Sequence, residues 1–190
     1  MESEDTRGKK ELTRAFIAIE FPSEVVKEVA RVQELVGKVK FTGKMTELEN
    51  LHLTLKFLGE LDSRDIEWAR EKLKEIKFER MKLKPGKLGV FSIHGDPRIV
   101  WVKLEGKGIY ELQGKIDDAL KEKFAVEERF MGHLTIARIK YVKDKKGFLE
   151  RLNSIKVKPI EFECSEFKLK KSELEKMGPV YRDFEVYSAG

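Results

Sequence analysis

Apolar residues in this chain fall into two periods. Residues 14–21 form an apolar run interrupted only by charges at its ends, which predicts a strand buried on at least one side. Pro22 and Ser23 then open a helix with Val25, Val29, Val32 and Val36 at helical spacing and Gly37 near its end. Residues 41–50 read as a connector, with room for a short extended piece. After it, Leu51, Leu53, Leu55 and Phe57 alternate with His52, Thr54 and Lys56, so the polar three share one face of a strand. Gly59 is expected to end that strand.

Asp62 or Ser63 caps a second helix carrying Ile66, Ala69, Leu73 and Ile76. Residues 78–83 and 88–93 read as separate extended segments around a Pro85-Gly86 turn, and Gly95-Asp96-Pro97 turns the chain into a strand at 99–104. From there the plan repeats. A helix at 108–123 presents Ile109, Leu112, Ile116 and Leu120, and a second histidine strand follows, Gly132-His133-Leu134-Thr135-Ile136-Ala137-Arg138. A helix at 143–154 carries Phe148, Leu149 and Leu152. Segments 160–169 and 181–187 are extended, with 170–180 expected as a mobile polar loop. The repeat predicts an α+β fold with two similar lobes about an approximate two-fold axis, each supplying one histidine to a cleft between two sheets.

Composition narrows the class. Charged residues make up 38% of the chain at a net charge of +5. Gln33, Gln113, Asn50 and Asn153 are the sole amides, a balance associated with thermostable proteins. The lysines are interspersed with acids, which reads as a solvated mixed surface more than a nucleic-acid stripe. The single cysteine, Cys164, excludes an internal disulfide and a multi-cysteine metal site, and reads as a small packing residue. No apolar run approaches a membrane span and no signal-peptide core is present, so a cytoplasmic protein is expected. Residues 1–11 read as a disordered extension, and 12–190 as one bilobed domain with lobes built around 52–55 and 133–136.

A lone histidine in an apolar strand is commonly a hydrogen-bonded packing residue. Two copies of His-x-Thr, each preceding a helix, resist that explanation. Two facing imidazoles provide a general acid and a general base near neutral pH. A hydroxyl beside each can donate to an anion between them, a set suited to phosphoryl transfer without a metal or other cofactor. A metal site lacks ligands: no carboxylate shares the motif face, and His94 lies in a turn without an evident partner. No G-x-S-x-G elbow or Walker P-loop is present.

At these residues the chain resembles the two-histidine (2H) phosphoesterases, and within them the RNA 2′,3′-cyclic phosphodiesterases also called 2′-5′ RNA ligases. The paired motifs carry the resemblance, with support from residues 14–19, 97–101, 172–174 and 178–181. It implies a bilobed α+β fold with two antiparallel sheets flanking a cleft. The implied reaction is hydrolysis of an RNA terminal 2′,3′-cyclic phosphate to a 2′-phosphomonoester. His52 would be the proton donor and His133 the acceptor, with Thr54 and Thr135 on the phosphate oxygens. A 5′-hydroxyl in place of water would give a reversible, ATP-independent 2′-5′ linkage. The implied partner is RNA with cyclic phosphate ends, such as tRNA halves or oligonucleotides, acted on by a monomer. A binding module without turnover is the alternative, which intact His and Thr in both motifs disfavour.

Two departures stand out. Relatives in the family commonly carry proline where this chain has Gly132, which is expected to loosen the entry to the strand. Arg138 matches a family arginine near the phosphate, yet strict alternation sets it opposite His133. Either the strand ends or bulges near Ala137, or Arg138 is structural. Phe16 on a buried strand reads as a core residue; Trp101 could stack a base, but its place in an apolar run reads as packing. Lys56 on the histidine face would raise the local positive potential, Arg14 reads equally as an RNA contact or a surface charge, and Tyr181 could line the cleft.

Overall fold

In the computed structural model, which describes residues 12–175 and 178–190, the chain builds one curled antiparallel sheet covered by four helices. The expected N-terminal extension, 1–11, lies outside the described residues. In chain order the elements are β1 (Thr13–Ile19), α1 (Ser23–Gly37), β2 (Thr42–Met45), a 3₁₀ turn (Leu48–Asn50), β3 (Leu53–Leu61), α2 (Ser63–Lys74), β4 (Met81–Ile93) and β5 (Asp96–Glu105). They continue with α3 (Lys107–Leu120), β6 (His133–Tyr141), α4 (Lys145–Ser154), β7 (Phe162–Cys164), β8 (Glu166–Glu175) and β9 (Gly178–Ser188).

The strand order is β7-β4-β5-β6-β3-β1-β8-β9, with β2 also paired to β6. The expected two-fold plan holds along this path. β3 lies beside β1 as β6 lies beside β5. The two halves meet where the histidine strands run antiparallel through the single pair Leu53–Leu134. β2 belongs to the first half by sequence but pairs with β6 of the second, so it ties the halves together.

The helices form because their apolar residues recur on one face, and those faces make the core. Val25, Val29, Val32 and Val36 of α1, and Ile109, Leu112, Ile116 and Leu120 of α3, are buried with Leu53, Leu55, Leu134, Ile136, Val100 and Val102. Each such side chain contributes about 1.5–3 kcal/mol on leaving water. Asp62 caps α2 by accepting from the backbone N–H of Arg64 and Asp65. Leu149 departs from the expected α4 face and is exposed. With the helices on one face, the opposite face of the sheet is left to the histidines and threonines.

Three segments differ from expectation. Residues 81–93 form one strand, not two around a turn: Pro85-Gly86 falls at a shift in the β4–β5 register, where a missing N–H and an irregular ladder coincide. The true reversal is His94-Gly95, both at positive φ (50° and 79°), as a two-residue hairpin turn demands. Of the expected mobile loop at 170–180, residues 170–175 and 178–180 are strand, paired from Lys170–Asp183 to Glu175–Gly178, and 176 and 177 lie outside the described residues. Gly59 lies inside β3 at a register shift and does not end it.

Candidate active site

Each histidine enters its strand in the same way. His52 Nδ1 is 2.7 Å from the carbonyl of Asn50, and His133 Nδ1 is 2.8 Å from the carbonyl of Met131. A carbonyl only accepts, so Nδ1 holds a proton in both rings and Nε2 of the neutral ring is left as the basic atom. Asn50 is fixed in turn by its side-chain amide, which donates to the Pro179 carbonyl at the start of β9 (2.9 Å). Gly132 does not loosen β6, since its carbonyl accepts from Leu104 N at 2.9 Å.

The threonines follow the histidines on the same face. Thr54 faces Ala18 across the β3–β1 pair, and Thr135 faces Trp101 across the β6–β5 pair. Directly after each threonine the register slips. Lys56 pairs with Ile17 and Thr54 with Ala18, which leaves Leu55 as an extra residue. In the same way Ala137 pairs with Val100 and Thr135 with Trp101, which leaves Ile136 as the extra one. These are β-bulges, and an extra residue reverses which side chains share a face beyond it. The burial pattern matches. Leu55 and Lys56 are both buried, as are Ile136 and Ala137, while Phe57 and Arg138 are exposed.

The bulge sets Arg138 on the histidine face of the strand, the first of the two alternatives. Beyond Ile136 it shares a face with His133 and Thr135, and its positive charge acts on both the His52 ring and the Tyr181 hydroxyl. The bulge carbonyl of Ile136 is held by Gln33 Nε2 at 2.8 Å and Thr46 N at 3.0 Å, so α1 and the end of β2 fix the distortion.

The same geometry overturns the expectation for Lys56. Past the Leu55 bulge its side chain turns into the core, where the ammonium pairs with Asp117 of α3 and donates to the Ala125 carbonyl at 2.6 Å. Asp117 also accepts from Gln113 Nε2 (2.7 Å) and Glu127 N (2.9 Å). Burial acts to raise the Asp117 carboxyl, but Lys56 and these donors outweigh it and hold it below the usual carboxylate range.

Aromatic rings flank each imidazole. Phe16 lies 4.9 Å and Tyr181 5.2 Å from the His52 ring, the latter edge-on. Phe91 lies 5.0 Å edge-on and Trp101 6.5 Å from His133. Phe16 is buried, as expected, but against His52 on the cleft face. Trp101 is not a core residue: Val100 and Val102 point to the core and Trp101 points the other way. Burial pushes the His52 pKa down to about 4; the Asn50 carbonyl and Glu20 oppose that shift while Lys170 and Arg138 add to it. Lys170 is itself buried and paired with Glu20 and Asp183.

Sequence reasoning did not reach Asn50, Phe91, Glu20 or Lys170. Phe91 had a usable signal, because a turn at His94-Gly95 would have set the β4–β5 register and brought it beside Trp101. Cys164 is buried, with its thiol pushed up to about 11 by burial, in keeping with a packing role. Among the described residues no three His, Cys, Asp or Glu side chains are grouped to hold a metal ion, and no helix is long and apolar enough to cross a membrane.

A family model described as LigT-like phosphoesterase matches residues 19–101 and 103–181, so it spans both histidine strands. The chain belongs to the LigT-like phosphoesterase family. It is 36% identical over 176 residues to an RNA 2′,3′-cyclic phosphodiesterase of Methanocaldococcus jannaschii, covering 88% of this chain and 96% of that one. It is 31% identical over 176 residues to the enzyme of the same name from Archaeoglobus fulgidus, covering 92% and 99%. Among solved structures, a Thermus thermophilus protein superposes with a TM-score of 0.75 at 26% identity, covering 92% of this chain and 97% of that chain. Escherichia coli LigT in its apo form also gives 0.75, at 19% identity over 94% and 98%. The LigT-like fold is thus the bilobed α+β arrangement read from the repeat. In this member of the family the two histidine strands meet at Leu53–Leu134, and Arg138 shares the face of His133 and Thr135.

Proposed function

We propose that this LigT-like phosphoesterase hydrolyses the terminal 2′,3′-cyclic phosphate of RNA to a 2′-phosphomonoester, using His52 as general acid and His133 as general base. The observation that carries this reading is the matched tethering of the two rings: each Nδ1 donates to a carbonyl two residues upstream, leaving Nε2 to exchange protons. The names of the M. jannaschii and A. fulgidus relatives support the substrate class.

In the proposed step, His133 Nε2 takes a proton from water as its oxygen bonds to phosphorus. The bond from phosphorus to O3′ breaks, and His52 Nε2–H gives its proton to that oxygen. Thr54, Thr135 and Arg138 stabilise the charge on the non-bridging oxygens. Burial leaves His52 neutral in the free protein near pH 7. An anionic phosphodiester at bonding distance favours the imidazolium, so substrate and proton arrive together. If a nucleoside 5′-hydroxyl replaced water, the same proton transfers would form a 2′-5′ phosphodiester, and the reaction would run in either direction without ATP.

The reading is tested by incubating RNA ending in a 2′,3′-cyclic phosphate with the protein and identifying the product. A 2′-phosphate is expected. A 3′-phosphate would reverse which oxygen His52 protonates, and binding without turnover would favour a nucleotide-binding module.

A further inference from the structure

The two halves of the cleft are not equivalent where the threonines face their neighbours. In the first half Thr54 lies opposite Ala18, a methyl group; in the second Thr135 lies opposite Trp101. That indole reaches across to β4, where its cross-strand partner is Gly89. A Cβ on Gly89 would lie 2.1 Å from the ring, so the indole rests directly on the glycine backbone. Glycine here is a steric requirement of the ring above it. Phe91, two residues along the same face, lies 5.3 Å from the indole and edge-on to His133. Both rings are partly exposed. The indole N–H is buried with no hydrogen-bond partner among the described residues.

We propose that Trp101 and Phe91, seated over Gly89, form a stacking platform for a nucleobase on the His133 side of the phosphate. The cleft then takes two nucleosides joined through one phosphodiester. This rests on the phosphoesterase reading above and gives the base of its second nucleoside a seat. In that reading the leaving ribose lies toward His52, and its base meets the Phe16 and Tyr181 side. The oxygen attacking from the His133 side belongs to water or to a second nucleoside, whose base would lie over the indole. A flat aromatic face accepts any base, so the platform selects for a nucleoside and not for its identity.

The test compares two ligands by calorimetry. One is a 2′-5′-linked dinucleotide whose first nucleoside lacks the 3′-hydroxyl, so that it cannot cyclise. The other is the matching 2′-mononucleotide. The dinucleotide is expected to bind the full chain more tightly, and Trp101→Leu should weaken it about 5–150-fold, the range for loss of one stacked base. The mononucleotide should lose several-fold less. Gly89→Val, which lifts the indole, should act in the same direction. In a Trp68→Phe background Trp101 is the remaining tryptophan, and its fluorescence should be quenched by the dinucleotide alone. Equal affinity for both ligands in the unaltered protein, or equal losses in Trp101→Leu, would overturn the platform while cyclic-phosphate turnover persisted. Absence of turnover and of binding by either ligand would instead remove the phosphoesterase reading beneath it.

Discussion

Arg138 stands on the same face of β6 as His133 because Ile136 is an extra residue in the register with β5. Without that bulge the guanidinium would point into the core, where Ala137 now lies. With it, one strand carries an imidazole, a hydroxyl and a cation on the same face.

Arg138→Ala is therefore expected to lower kcat/KM for a cyclic phosphate about 10²–10³-fold, the range for loss of one donor to a developing anion. Arg138→Lys should recover part of this, since an ammonium keeps the charge but cannot bond two oxygens in a fork. Steady-state kinetics decide it. Turnover of Arg138→Ala at the unaltered rate would reduce the arginine to a surface charge.

The buried pair Lys56–Asp117 joins β3 to α3 and, through Ala125 and Glu127, to the segment leading to His133. Lys56→Met strands a carboxylate in the core and should cost about 3–5 kcal/mol of stability. The double change Lys56→Met with Asp117→Leu should restore most of it. Denaturant unfolding of the two singles and the double measures the coupling. Additive losses would show that the two side chains do not act as a pair.

His52 gives stability a pH dependence of defined sign. Its pKa is near 4 in the folded protein against 6.5 ordinarily, so the unfolded chain takes up a proton first as pH falls. The stabilisation from holding His52 neutral is complete above 6.5 and is lost on descent toward 4, about 3 kcal/mol in all. Relative to the wild type, His52→Phe should gain about that much stability between pH 7 and pH 4. Unfolding curves at the two pH values check this, and parallel pH dependences would count against it. Imidazole NMR should place the titration of His52 near 4 in the free protein and higher once inorganic phosphate is added.

Which candidate residues share a strand face was legible in the sequence, up to the bulges. Alternation placed His52 with Thr54 and His133 with Thr135, and repetition implied that the two faces meet. Alternation then misplaced Lys56 and left Arg138 open, because one inserted residue reverses everything after it. β6 carried a readable sign of this: Ile136-Ala137 are consecutive apolar residues in a strand otherwise alternating. In β3 the equivalent position is Lys56, whose charge concealed the same geometry because its partner Asp117 is distant in sequence. The β8–β9 hairpin was hidden for a different reason. Its outer half carries Glu173, exposed Leu174 and Arg182, which alternate without an apolar face because that part extends past the core. For Trp101 the sequence offered base stacking or packing, and its valine neighbours favoured packing; its pairing with Thr135 shows which face it takes.

Two tethered imidazoles, with no metal, are proposed to carry the reaction. Single-turnover hydrolysis of an RNA 2′,3′-cyclic phosphate in excess EDTA, with wild type, His52→Ala and His133→Ala side by side, decides this. The wild-type rate should be unchanged by the chelator, and each variant should fall by about 10²–10⁴-fold or more. Loss of wild-type activity in EDTA, or normal turnover in both variants, would refute it.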